Sequence, residues 1–348
     1  MIECIFTLDY EIYGNGEGSL EELVYQPTEQ LMRIFDSAQA KFVCFVEAAE
    51  LELIEAHGAD PAIAKVRRQI LALSQRRHEI ALHLHPQWVR ARRENGHWQL
   101  DDSEYNLCNL PRDRIVQIVD RAVMYLRNVL DDPDFTPHSF RAGNWLLQPT
   151  DNVAPVLMDY GVRVDSSVFK GGRQHKHQLD YRPACRNGPF WRFGRDVNLP
   201  DFDGALWEIP IYTEQVPFWR MLTGKRVGLQ KRASAGAGAS RWSRFRDFLR
   251  LRHPLKFDFC RMTLDELVSM TEHALREDRE EPQAYRPLVA IGHSKDLVDF
   301  ETVRAYLSYL KGLGIAVCTL KEACRKCKIE ERCGNLDRDL YESYPHTD

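Results

Sequence analysis

The chain has 348 residues, 44% hydrophobic and 28% charged, with a formal net charge of −4. That is the composition of an ordinary soluble globule, long enough for one large α/β domain with insertions or for two smaller domains. It excludes a membrane-spanning chain, since no run of eighteen or more apolar residues occurs. Charge is unevenly spread: eleven Lys/Arg and one acid, Asp247, fall between Arg220 and Lys256, so that stretch carries +10 and the remainder −14. Met1-Ile2-Glu3 runs straight into an apolar strand, which is not the pattern of an export signal. Nine cysteines without such a signal read as reduced thiols of a cytoplasmic protein.

Short apolar runs predict strands at Glu3–Leu8, Phe42–Val46, Glu79–His85, Ser139–Ala142, Val162–Ser166, Leu206–Ile211, Leu288–Gly292 and Ile315–Thr319. Amphipathic stretches predict helices over Thr28–Ala40, Asp60–Arg76, Arg112–Asp131, Pro149–Tyr160, Leu264–Arg276 and Asp299–Gly312. Strand–helix alternation at this spacing argues for a parallel sheet, and about eight strands argue for an α/β fold of the (β/α) barrel type. Residues 169–203 and 213–260 read as rim insertions on a barrel spanning 1–322. Within the second insertion, Ala233–Ser240 has the small-residue composition of a mobile linker. Residues 323–348 read as a polar, cysteine-containing tail.

Chemically capable residues gather at the C-terminal ends of these strands, where a barrel keeps its active site. His83 and His85 are i and i+2 on one strand, so both imidazoles share a face. Two histidines and a carboxylate form a common shell for a hydrolytic divalent ion. His78, at the other end of that strand, reads as structural. Asp9 and Glu11 are another i, i+2 pair and would repel unless a cation lay between them. Arg141 ends a strand where it can hold a carboxylate bidentately. His293 ends a late strand and suits a general acid. Asp165 ends a strand as well.

In this order, Thr7-Leu-Asp-Tyr-Glu11, His78-Glu-Ile-Ala-Leu-His83 with His85, Phe140-Arg-Ala-Gly-Asn-Trp145 and Ile291-Gly-His293 resemble the motifs of the NodB-homology domain. That is the polysaccharide-deacetylase family, carbohydrate esterase family 4. Tyr160-Gly-Val-Arg-Val-Asp-Ser-Ser167 and Leu206-Trp-Glu-Ile-Pro210 are similar to strand-end phrases of the superfamily, and coverage runs from Ile2 to about Leu320. The resemblance implies a distorted or incomplete barrel of seven or eight strands. It implies a divalent ion, foremost zinc with cobalt, nickel, manganese or iron as alternatives, on Glu11, His83 and His85. Asp9 would be the base, Arg141 its orienting partner and His293 the acid. Tyr10, Trp145, Asp165 and Trp88 are expected at the substrate, with a backbone N–H near Tyr10 holding an oxyanion. The reaction implied is removal of an acetyl or formyl group from a sugar amine.

Three positions depart from the family pattern. Tyr10 separates Asp9 from Glu11, where many members have adjacent acids. Gln87 stands four residues after His83, where many members have the second metal histidine, so His85 takes that role with Gln87 as the alternative. Gly143 replaces a common proline after Arg141.

In the basic insertion, Trp242, Phe245 and Phe248/Leu249 stand at helical spacing among arginines. That pattern suits either an interfacial helix on anionic lipid or a solvated basic lid. No nucleic-acid module accompanies the charge. Cys324, Cys327 and Cys333 offer three ligands of an incomplete metal set. The preferred reading is a cytoplasmic, membrane-peripheral deacetylase of a sugar or lipid-linked sugar in surface-glycan or glycolipid assembly. The alternatives are hydrolysis of another linear or cyclic amide, and a non-catalytic glycan-binding barrel.

Overall fold

The computed structural model describes residues 1–233, 252–280, 282 and 284–332. Its apolar runs form parallel strands because their side chains are buried on both faces, as all nine residues of Ile2–Tyr10 are. The strands that build the barrel and its insertion are β1 (Ile2–Tyr10), β2 (Val43–Glu47), β3 (Glu79–Leu84), β4 (Ser139–Ala142), β5 (Val164–Asp165), β6 (Trp191–Phe193), β7 (Leu206–Glu208), β8 (Thr213–Val216), β9 (His253–Lys256), β10 (Arg286–His293) and β11 (Ala316–Val317). The helices are α1 (Gln26–Ser37), α2 (Ala48–Ala56), α3 (Ile63–Gln75), α4 (Arg112–Leu130), α5 (Val153–Asp159), α6 (Gly224–Ala233), α7 (Leu264–Glu280), α8 (Phe300–Gly312) and α9 (Leu320–Arg332).

The main sheet runs β6-β7-β5-β4-β3-β2-β1-β10, with β11 added beside the start of β1. All its pairings are parallel except β6 with β7. The sheet curls, and one short segment ties its two ends together: Ile211 N–H donates to Val168 O at 2.9 Å and Tyr212 N–H to Val289 O at 3.0 Å. The result is the distorted (β/α) barrel expected from the sequence. Amphipathic helices cover it. In α1, Leu31, Met32, Ile34 and Phe35 turn inward, and Phe35 packs edge-on against Phe6 of β1.

Several boundaries shift. The strand expected over Ile315–Thr319 shortens to Ala316–Val317, and the helix expected from Pro149 begins at Val153. The first insertion is less loop-like than expected, because Trp191–Phe193 joins the sheet as an antiparallel edge strand. The second rises on an antiparallel stem in which β8 pairs with β9. The expected linker from Ser234 onward and the aromatic–arginine stretch lie outside the described residues. So does Cys333.

The expectation of a polar tail from residue 323 needs correction. Leu320, Ala323, Cys324 and Cys327 form a buried stripe on α9, which docks on the N-terminal end of the barrel. There Lys326 pairs with Glu3, and Lys321 N–H donates to Glu79 Oε2 at 2.8 Å. Burial pushes the Cys324 thiol up to about 11 and holds Cys327 well above its ordinary value. Both are protonated packing residues. Neither cysteine joins a metal-competent cluster among the described residues.

Candidate active site

Strand register assembles the site. On adjacent strands Asp9 stands beside His293, Glu47 beside His83, and His83 beside Arg141. All lie at or near the C-terminal ends, so one end of the barrel collects the charge. Each is buried.

Arg141 is fully enclosed. It donates to Asp9 Oδ1 at 2.6 Å, to Thr7 Oγ1 at 3.0 Å and to Ser166 O at 2.8 Å, with its guanidinium 4.2 Å from the Phe45 ring centre. Burial alone would raise the Asp9 pKa; Arg141, His83 and His293 outweigh it and hold the carboxyl below its ordinary value. Asp9 is therefore ionised and fixed on one oxygen. Its other oxygen, Oδ2, lies 3.5 Å from His293 Nε2.

Glu11, one residue past β1, splits its oxygens between two tasks. Oε1 accepts from Lys295 Nζ at 2.7 Å. Oε2 lies 3.5 Å from His83 Nε2 and 3.1 Å from His85 Nε2. Burial works against ionisation here too, but Lys295 and the two histidines hold Glu11 well below the usual carboxylate range.

The donors fit a divalent ion. His83 Nδ1 lies 2.9 Å from Arg141 O, a contact that makes Nδ1 a proton donor and leaves Nε2 as the nitrogen that would bind a cation in exchange for its proton. That Nε2 is buried and has no hydrogen-bond partner. The three donor atoms lie within 4.8 Å of one another, and bonds of about 2.0–2.1 Å in a tetrahedral shell would space donors by roughly 3.3 Å. Burial lowers the His83 pKa, yet Asp9, Glu11 and Glu47 push it up to about 9. Their field concentrates positive charge where a cation would bind. A second grouping, Asp9 with Glu11 and His293, overlaps the first.

His293 is neutral at neutral pH, because burial pushes it down to about 4 against the pull of Asp9. Its Nδ1 faces Asp296 Oδ2 at 3.9 Å, which is itself clamped by Arg261 at 2.6 Å. The Trp145 ring stands edge-on to His293 at 6.0 Å between centres.

Three of the four expected substrate contacts, Tyr10, Trp88 and Asp165, are corrected. Tyr10 alternates away from Asp9 and Glu11 into the core, where its hydroxyl donates to Gln69 Oε1 at 2.6 Å. Trp88 is 1% exposed and packs against Trp98, because the 3₁₀ turn Pro86–Trp88 turns its ring inward. Of the backbone N–H groups just after Tyr10, the expected place of an oxyanion donor, Glu11 N–H donates to Ser294 Oγ and Ile12 N–H to Glu50 Oε1. Asp165 is fully buried behind Arg141, bonded to Ser167 and Glu208. Trp145 remains half-buried beside His293. His78 is structural as expected, accepting from Phe42 N–H at 3.2 Å.

Other residues of the site escaped the sequence reading. Glu47 accepts His85 N–H at 2.6 Å and caps α2 through Ala49 N–H at 3.2 Å. Lys295, two positions after His293, holds Glu11. Gly143 makes room for the second histidine: a Cβ there would lie 2.7 Å from His85 Cγ and 2.5 Å from Leu84 O.

No family model and no curated protein matches the sequence. Solved structures do match. A provisionally named polysaccharide deacetylase from Mycobacterium smegmatis superposes with a TM-score of 0.51 at 14% identity, over 95% of this chain and 91% of that one. Another, from Pseudomonas aeruginosa PAO1, gives 0.50 at 12% identity, over 93% and 90%. The likeness defines the fold, which is the polysaccharide-deacetylase barrel.

Proposed function

We propose that this chain is a metal-dependent hydrolase that removes an N-acyl group, acetyl or formyl, from a sugar amine. The observation that carries the reading is the meeting of an Arg141-fixed Asp9, the Glu11–His83–His85 donor set and His293 at the C-terminal end of one barrel. When bound, a divalent ion supplies a water of pKa lowered from about 16 toward about 7 and polarises the acyl carbonyl. Zinc suits the two imidazoles and one carboxylate best; cobalt, nickel, manganese and iron accept the same donors.

The protein's own groups do the proton work. Asp9, kept ionised by Arg141, accepts a proton from the attacking water through Oδ2. His293 gives a proton to the departing amine, taking it from Asp9 across their 3.5 Å contact. Each such transfer contributes ~10²–10⁴ in rate. Trp145 walls the leaving-group side, next to His293.

Elemental analysis together with acetate release from N-acetylated sugars tests the reading. One divalent ion per chain is expected, lost in His83→Ala and Glu11→Ala, with turnover lost in Asp9→Asn while the metal stays. Stoichiometric metal without acyl release from any N-acylated sugar would overturn it. A cytoplasmic, lipid-linked substrate belongs to the same proposal, supported by the +10 charge of residues 220–256. Equal flotation of wild type and of Arg244→Glu/Arg250→Glu with anionic liposomes would remove that part.

A further inference from the structure

The cations around the site are almost all spoken for. Arg141 is paired with Asp9, Lys295 with Glu11, and Arg261 with Asp296. Lys256 differs. It ends β9 at the foot of the second insertion. Its Nζ lies 3.0 Å from the centre of the Trp145 ring and 4.8 Å from that of Phe169. Among the described residues it makes no hydrogen bond and no ion pair. Asp258, Asp9, Arg261 and Arg141 act on it through space, with no carboxylate in contact.

An ammonium held against two aromatic faces keeps a cation–π attraction of about 0.5–2 kcal/mol but leaves its three donors without an acceptor. Burial of this kind pushes Lys256 down to about 7, and an anion alongside would restore its full charge. The side chain is half-buried, less enclosed than Asp9, His83 and Arg141. Trp145 links it to the chemistry, because the same ring touches His293, the group assigned to the leaving amine. A group bound at Lys256 therefore sits on the leaving-group side.

We propose that Lys256 is a specificity residue that binds an anionic oxygen of the sugar, a phosphate or a carboxylate on the ring that carries the N-acyl group. This rests on the deacetylase reading and narrows its substrate class from N-acyl sugars to anionic ones.

The test is binding by calorimetry on metal-loaded protein at pH 7, with three probes: N-acetylglucosamine 1-phosphate, the matching N-acetylated uronic acid, and the uncharged methyl glycoside. Wild type should bind one of the charged sugars at least ~10-fold tighter than the glycoside, a preference that weakens with salt. Which charged sugar is preferred identifies the anion as phosphate or carboxylate. Lys256→Met should abolish the preference and leave glycoside binding within about twofold, while Lys256→Arg should keep most of it. Wild type without a preference, absence of binding by every probe included, overturns the proposal. So does a preference that survives Lys256→Met. Acetate release from the same sugars is read separately: a Lys256-dependent preference without turnover refutes the deacetylase reading and leaves the anion site standing.

Discussion

Arg141→Met tests whether the Arg141–Asp9 pair is the electrostatic keystone of the site. Both side chains are buried, 0% and 3% exposed, and Asp9 is bonded at 2.6 Å. Methionine fills much of the same space but leaves a carboxylate in the barrel without its cation. Breaking a buried pair from one side costs about 3–5 kcal/mol, more than the roughly 1 kcal/mol for each lost bond to Thr7 or Ser166. In an Asp9→Asn background the same change should cost only about 1–2 kcal/mol, giving a coupling of roughly 2 kcal/mol. The sign with pH follows. Wild-type Asp9 is held below its ordinary value, so its contribution is present above about pH 4 and lost as pH falls through the folded pKa. In Arg141→Met the carboxyl is raised instead, takes up a proton on folding and destabilises most at neutral pH. The gap between the proteins should therefore narrow from pH 7 toward pH 4. Urea unfolding of chelator-treated protein, read by tryptophan fluorescence, measures all four corners of the cycle. A coupling below about 0.5 kcal/mol at pH 7, or a gap independent of pH, would refute the reasoning.

Other changes separate the remaining roles. Gly143→Ala forces a methyl into the space of His85 and should weaken divalent-ion affinity by at least ~10-fold while the fold survives; competition with a metal-sensing dye measures it. Tyr10→Phe strips Gln69 Oε1 of its donor, costing about 1–3 kcal/mol by urea unfolding, and should leave turnover within about twofold. Glu208 is pushed well above its ordinary value by burial and by Asp165, so its contribution is full at acid pH and lost as pH rises past about 4.5. Glu208→Gln should thus gain stability relative to wild type between pH 5 and 8. A pH-independent difference would show that Glu208 is not held above its ordinary value.

Much of the site was legible because barrels place function at strand ends and strands alternate. Asp9, His83, Arg141 and His293 followed from those two facts. The same alternation should have excluded Tyr10: if Asp9 and Glu11 face inward, the residue between them faces out, toward Gln69. On α9 the stripe Leu320, Ala323, Cys324, Cys327 has helical spacing, and the charges around it hid the pattern. Lys256 was not legible in this way. A long basic insertion precedes it, and its place beside Trp145 depends on the β8–β9 stem, a contact between segments about forty residues apart. Trp88 was misplaced because periodicity ends at Pro86 and the turn beyond it is set by packing.

The three departures from the family motifs are one rearrangement. With Tyr10 between them, Asp9 and Glu11 occupy successive inward levels of β1 and its extension; His83 on β3 and His85 one residue past its end do the same. The lower level couples Asp9 to Arg141 and His293, and the upper couples Glu11 to His85 and Lys295, with His83 Nε2 in reach of Glu11. Bringing His85 in requires its ring to lie against the backbone at residue 143, and no side chain fits there. Lys295 then claims one oxygen of Glu11, so a cation would have only Oε2 from that carboxylate. A spaced acid pair without His85, or His85 without Gly143, would leave a buried ligand unmatched. The spaced acid pair, His85 and Gly143 thus depend on one another in this packing.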